Sequence, residues 1–270
     1  MESKIVGVIF DWAGTTVDYG CLAPVQVFKE VFNKRGIVIT DQEAREPMGL
    51  LKIDHIRAIC QMERVASEWH SLYGENPTER DVLAIYEDFE PMLLRILDQY
   101  ATPLPGVLET IDHLNKEGIA VGSTTGYTAD MIDIVAHAAA EQGYCPDTIV
   151  SSTDVPAGRP FPWMCYVNAM RLNLFPMAHM VKVGDTVSDM KEGINAGMWT
   201  IGVIKGSSTL GLTKEEVAAL TDVEWTTKKN LTEEVLLQSG ANYVIEEISE
   251  LPLCIKQINQ RLKENETSYA

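Results

Sequence analysis

Lys4-Ile5-Val6-Gly7-Val8-Ile9-Phe10-Asp11-Trp12-Ala13-Gly14-Thr15-Thr16 is the stretch whose reading decides the fold. From Lys4 to Phe10 the apolar, β-branched character is nearly continuous rather than alternating. That pattern predicts a strand buried on both faces, as in a parallel sheet. The run stops at a carboxylate, Asp11, with a glycine and two threonines close behind, so the strand delivers a polar group at its C-terminal end.

Outward from this strand the pattern changes twice. From about Gly20 to Tyr100 it is helical: Val27, Phe28, Val31 and Phe32 share one face, Gly36 can close that helix, and further helices are expected over roughly 50–63 and 78–99. After Pro103 and Pro105 strands and helices alternate. A helix carries Val107, Leu108, Ile111 and Leu114, followed by a strand over 119–122, a helix over 128–142, a strand over 148–150 and a helix over 162–172. Strands over 179–183 and 200–204 flank another helix, and the tail holds a late strand at 243–246 and an amphipathic helix at 250–263. Repeated strand-helix units imply a Rossmann-like α/β core with ligands bound beyond the strand C-termini. The helical stretch then becomes an inserted cap, giving a core of 1–19 and 101–270 and a cap of 20–100.

With 270 residues the chain has room for both units and can bury a full core. Lys plus Arg is 22 against 39 Asp plus Glu, a net charge of −17, which repels polyanions and argues against nucleic acid or an anionic membrane as partner. No apolar stretch is long enough to span a bilayer, and no signal-peptide pattern opens the sequence. Five scattered cysteines without a CxxC pair fit a reducing compartment, so a cytoplasmic location is expected.

Four polar clusters fall at the expected strand ends: Asp11 to Thr15, Ser123-Thr124-Thr125-Gly126, Arg159-Pro160, and Gly184-Asp185 with Asp189. In order and spacing they resemble the haloacid dehalogenase superfamily over almost the whole chain. The resemblance implies that Asp11 is a nucleophile toward phosphorus and a ligand of Mg2+, with the Ala13 carbonyl and Asp185 as further ligands. Such a carboxylate must be ionised and shielded from the substrate's negative charge, and magnesium, which prefers oxygen ligands, supplies that shielding. Asp189, one helical turn after Asp185, can reach the same cation directly or through water and is placed in the outer shell, or it simply caps its helix. Thr125 with the Gly126 backbone would bind phosphoryl oxygens, and Arg159 would neutralise their charge and orient the nucleophile.

One departure selects the reaction. Phosphatases of the superfamily read Asp-x-Asp, the second Asp protonating the leaving alkoxide, whereas Ala13 transfers no proton. A carbon leaving group needs a different device: an amine that condenses with an aldehyde, so that the iminium takes up the electrons of the breaking bond. Lys52 is the candidate. The segment Met48-Gly49-Leu50-Leu51-Lys52-Ile53-Asp54-His55 and the Asp11-to-Asp18 motif resemble the phosphonatase family, hydrolases of phosphonoacetaldehyde with a Schiff-base lysine at the position of Lys52. A lysine at its ordinary pKa of ~10.4 is free amine about once in several thousand molecules at neutral pH, so burial under the cap would have to favour the neutral form. His55, three residues on, either relays protons during imine formation or sits on the helix surface. Met48 either lids the imine or packs the cap, and Cys21 and Tyr127 adjoin the site or simply pack. The resemblance also implies a homodimer associating through cap helices. The rival readings are a phosphatase or phosphomutase in which Lys52 only binds an anion, and a non-catalytic phosphate-sensing module.

Overall fold

In the computed structural model, which describes residues 4–264, a six-stranded sheet runs in the order β3-β2-β1-β4-β5-β6, every neighbouring pair parallel. Its strands are β1 (Gly7–Phe10), β2 (Ala120–Thr125), β3 (Thr148–Ser151), β4 (Met180–Gly184), β5 (Trp199–Val203) and β6 (Tyr243–Ile245). All four residues of β1 are buried, as the unalternating apolar run demands of a central strand covered on both faces. The chain leaves β1 toward β2 and β3 on one side and returns to β4, β5 and β6 on the other. The direction of winding therefore reverses between β1 and β4, and a crevice opens beyond their C-terminal ends, where Asp11 and Asp185 emerge.

Between β1 and β2 the first five of six helices are α1 (Leu22–Asn33), α2 (Asp41–Arg45), α3 (Lys52–Gln61), α4 (Glu63–Tyr73) and α5 (Glu79–Leu94). They form a helical layer whose apolar residues are continuous with the core of the sheet, and Phe28 of α1 stacks on Phe89 of α5 at 4.4 Å between ring centroids. The sheet is flanked by α6 (Val107–Lys116), α7 (Ala129–Ala140), α8 (Trp163–Leu172), α9 (Val187–Ala196), α11 (Asp222–Gln238) and α12 (Leu251–Lys263), while the short α10 (Lys214–Ala219) buries no residue.

Element types agree with the periodicity, and the boundaries shift. The strand expected over 119–122 begins at Ala120 and runs on to Thr125, so Thr124 and Thr125 belong to β2 itself rather than to the turn after it. The helix expected over 78–99 ends at Leu94, and a separate 3-10 turn covers Leu97–Tyr100. The first strand is shorter than 4–10, although Val6 still donates to the His179 carbonyl at 2.9 Å and accepts from Ala120 at 3.1 Å. Helices α10 and α11 had no periodic signal, because α11 buries only Thr232 and Leu236. Their sequence marks are the capping boxes of Thr213 with Glu216 and Thr221 with Glu224.

Candidate active site

Asp11 continues the β1–β4 ladder by one residue, its N–H donating to the Val183 carbonyl at 2.9 Å, and its carboxylate enters the crevice 5% exposed. The chain then turns sharply: the N–H groups of Thr15, Thr16 and Val17 all converge on the Trp12 carbonyl, at 2.8 to 3.1 Å. Gly14 makes the turn at φ 90°, and a Cβ there would lie 2.4 Å from Asp185 Oδ2. Only glycine permits both the left-handed conformation and this approach to the second carboxylate.

Asp185 follows β4 and is held by two donors: Thr15 Oγ1 at 2.9 Å on Oδ1 and the Ser208 N–H at 2.7 Å on Oδ2. Asp189, in the first turn of α9, closes a capping box with Thr186, whose hydroxyl donates to Oδ2 at 2.6 Å. Oxygen atoms of Asp11, Asp185 and Asp189 lie within 4.8 Å of one another, all buried. Burial, with the negative charges of Asp11 and Asp189 adding to it, pushes the Asp185 carboxyl well above its ordinary range. Burial also opposes ionisation of Asp189, but Arg159 and Lys182 outweigh it and hold that carboxyl low.

Arg159 joins the clusters, and every nitrogen of its guanidinium has a partner. Nη2 donates to Asp11 Oδ1 at 2.6 Å and to Thr124 Oγ1 at 2.9 Å, Nε donates to Glu192 Oε2 at 2.9 Å, and Nη1 lies 3.1 Å from Asp189 Oδ1. Behind it Lys182, in the middle of β4, pairs with Asp189 at 2.8 Å and Glu192 at 3.5 Å. Asp11, Asp185, Asp189 and Glu192 thus face the paired cations Arg159 and Lys182, all at 5% exposure or less. Buried charge of one sign is costly unless it is neutralised, and this all-oxygen group fits a hard divalent cation between Asp11 and Asp185.

The helical layer closes over this floor. Lys52, the first residue of α3, is 3% exposed, with Nζ 5.0 Å from the centre of the Tyr127 ring and 5.9 Å from that of Phe28. Among the described residues none makes a hydrogen bond or ion pair to Nζ. Burial lowers the pKa of this amine, opposed in part by Cys21 and Asp11. His55 is not a surface residue: it is fully buried, stacks on Phe28 at 4.0 Å and approaches the Ala44 carbonyl through Nε2 at 2.9 Å. Among the described residues its Nδ1 has no partner, and burial, with Lys52 nearby, pushes the pKa of the ring well below its ordinary value and so favours the neutral form.

One pocket is lined by Asp11, Ala13, Lys52, Thr125, Gly126 and Arg159, with Cys21, Met48, Gly49, Tyr127 and Thr186 completing it. Its volume is about 20 Å³, room for about one water. A larger cavity of about 500 Å³ between Tyr19, Leu104, Val203, Leu220 and Trp225 is mostly apolar and lacks these carboxylates, so the chemistry belongs to the small, closed pocket.

Of the sequence-derived candidates, Asp11, Ala13, Met48, Lys52, Thr125, Gly126 and Arg159 line this pocket, whereas Asp185 and Asp189 join it through the carboxylate cluster with Asp11 and His55 stands behind its wall. Sequence reasoning placed Thr15 and Thr124 in the polar clusters without assigning them a role, and missed Lys182, Glu192 and Ser208. Lys182 did leave a mark, since a lysine inside the apolar run Met180-Val181-Lys182-Val183 belongs there only with a buried partner. Glu192 lies one helical turn from Asp189 and so faces the same way.

A family model described as haloacid dehalogenase-like hydrolase matches residues 8–203, and the chain belongs to this family. Within it the chain is 58% identical to the phosphonoacetaldehyde hydrolases of Bacillus cytotoxicus and Bacillus cereus, over 96% of this chain and 98% of each of those proteins. A crystal structure of a phosphonoacetaldehyde hydrolase-like protein from Oleispira antarctica superposes with a TM-score of 0.95 at 41% identity, covering 97% of this chain and 95% of that one.

Proposed function

We propose that the chain hydrolyses the carbon-phosphorus bond of phosphonoacetaldehyde to acetaldehyde and phosphate, through a Schiff base at Lys52 and an aspartyl phosphate at Asp11. The observation that carries this reading is a buried lysine, without an ion-pair partner among the described residues, in the same closed pocket as a buried strand-end carboxylate, with Ala13 at the position of the missing acid. The names of the Bacillus relatives support the same substrate.

Neutral Lys52 Nζ adds to the aldehyde carbon, and loss of water leaves an iminium. Asp11 then attacks phosphorus, and the electron pair of the carbon-phosphorus bond moves into the iminium to give an enamine. Protonation on carbon and hydrolysis release acetaldehyde and free Lys52, and water cleaves the aspartyl phosphate. His55 is the proton relay in this scheme: Nε2 is committed to Ala44, which leaves Nδ1 as the basic nitrogen. Thr125 and the Gly126 N–H bind phosphoryl oxygens, Arg159 aims Asp11, and Met48 supplies an apolar lid. Asp11, the Ala13 carbonyl and Asp185 would hold magnesium, with Asp189 in the outer shell, and the ion would supply charge shielding for the phosphoryl oxygens.

A pocket of about 20 Å³ admits no phosphonate, so the reading includes opening of a cap, residues 20–100, from a core of 1–19 and 101–270, about linkers at Gly20 and at Tyr100 to Pro105. It also includes a cytoplasmic homodimer meeting through the cap, supported by exposed Leu72, Tyr73 and Leu83 on α4, α5 and tested by sedimentation. Among the described residues, no helix is long and apolar enough to cross a membrane.

The deciding experiment is borohydride trapping in the presence of phosphonoacetaldehyde, followed by peptide mapping. Labelled Lys52 is the expected outcome, and phosphate release without that label sinks the Schiff base. If the chain were instead a phosphomonoesterase, Ala13→Asp would raise phosphomonoester turnover greatly; here it should leave it near background.

A further inference from the structure

Arg159 does not reach Asp11 as a free side chain. Its Nε edge is fixed by Glu192 Oε2, which also accepts from Thr124 Oγ1 at 3.0 Å, and the same hydroxyl oxygen accepts from Arg159 Nη2 at 2.9 Å. Glu192 is itself fully buried and sits 3.5 Å from Lys182 Nζ, so its charge is balanced from the side away from the pocket. Gly193, next along α9, is the reason the helix can come this close, since a Cβ there would lie 2.8 Å from Lys182 Cβ.

We infer that Glu192, seated on Lys182, is a positioning residue for phosphoryl transfer, acting only through Arg159. With the Nε edge clamped, the planar fork has one orientation in which Nη2 meets Asp11 Oδ1 and Nη1 faces both Asp189 and the Gly49 carbonyl, 3.4 Å away in the helical layer. Without the clamp the guanidinium has Asp11, Asp185 and Asp189 to choose among, and it follows the densest negative charge rather than the line of attack on phosphorus. This inference rests on the proposed role of Asp11, and not on that of Lys52.

A double-mutant cycle of Glu192→Ala with Arg159→Ala tests it. Glu192→Ala should lower kcat about a hundredfold, the scale of a small misplacement of a reacting group, with KM changed less than about threefold. Borohydride labelling of Lys52 should stay at the parent level, because imine formation does not use Arg159. In the Arg159→Ala background the second change should cost less than about twofold. Multiplying effects, or a folded Glu192→Ala protein within threefold of the parent kcat, would overturn the inference. If Glu192→Ala does not fold, the isosteric Glu192→Gln, expected to lose about tenfold, takes its place in the same cycle. If the parent releases no phosphate from phosphonoacetaldehyde, the substrate reading fails instead. The clamp is then read from beryllofluoride affinity in the presence of magnesium, which Glu192→Ala should weaken about tenfold only while Arg159 is present.

Discussion

Asp18 illustrates how burial and capping compete at a single side chain. It stands where the chain leaves the β1 loop for α1, and its two oxygens accept from the N–H groups of Leu22 at 2.9 Å and Ala23 at 3.2 Å. Burial raises its pKa from 3.8 to about 7, against the lowering effect of those donors, Arg45 and Lys52. The native state therefore keeps a proton that the unfolded chain gives up near 3.8, so the stability this group contributes is complete below that value and lost as pH rises toward about 7. Asp18→Asn imitates the protonated form, and its melting temperature relative to the parent should climb between about pH 4 and pH 7 and then level off; a flat or falling difference across that window contradicts the assignment. Gly14 is the second informative residue. Gly14→Ala drives a methyl into Asp185, and activity should fall about a hundredfold or more, with weakened magnesium binding by calorimetry.

At the scale of elements, the turn between β2 and α7 meets the loop before α3 backbone to backbone. A Cβ on Gly126 would lie 2.6 Å from the Leu50 carbonyl and 2.8 Å from that of Gly49. Gly126→Ala should hinder closure of the helical layer more than folding: kcat/KM down about tenfold or more, with the melting temperature nearly retained, read by steady-state kinetics beside a thermal melt. The same elements mark the limits of pattern reading. Strand β1 and helix α1 were legible because each buries a face with its own period, whereas α10 and α11 bury too little to leave a stripe.

For the whole molecule the decisive quantity is charge. A chain of net −17 folds with four carboxylates packed beyond β1 and β4, and a cation that binds only this native arrangement must stabilise it. At a hundred times its Kd, magnesium should add about 2.7 kcal/mol, a rise of roughly 5–10 °C in melting temperature for a chain of this size. Chelation should reverse the rise and Asp185→Asn should abolish it. A melt indifferent to magnesium would remove the cation from Asp11 and Asp185.

By itself the sequence determined the succession of the six strands and of the helices that bury an apolar stripe, the helical interruption after β1, and the four polar clusters at strand ends. All of these are local in the chain: an apolar run, a helical period, a polar residue where a strand stops. Ala13 and Lys52 were legible as a pair for the same reason, each lying in a short motif. Tertiary structure alone decided that His55 is buried and neutral, that Asp189 both caps α9 and faces Arg159, and that Lys182 and Glu192 stand behind the nucleophile. Those facts depend on contacts such as Asp11 with Arg159 and Thr124 with Glu192, 148 and 68 residues apart. Spacing along a chain carries no record of which distant side chains the sheet will bring within hydrogen-bonding reach.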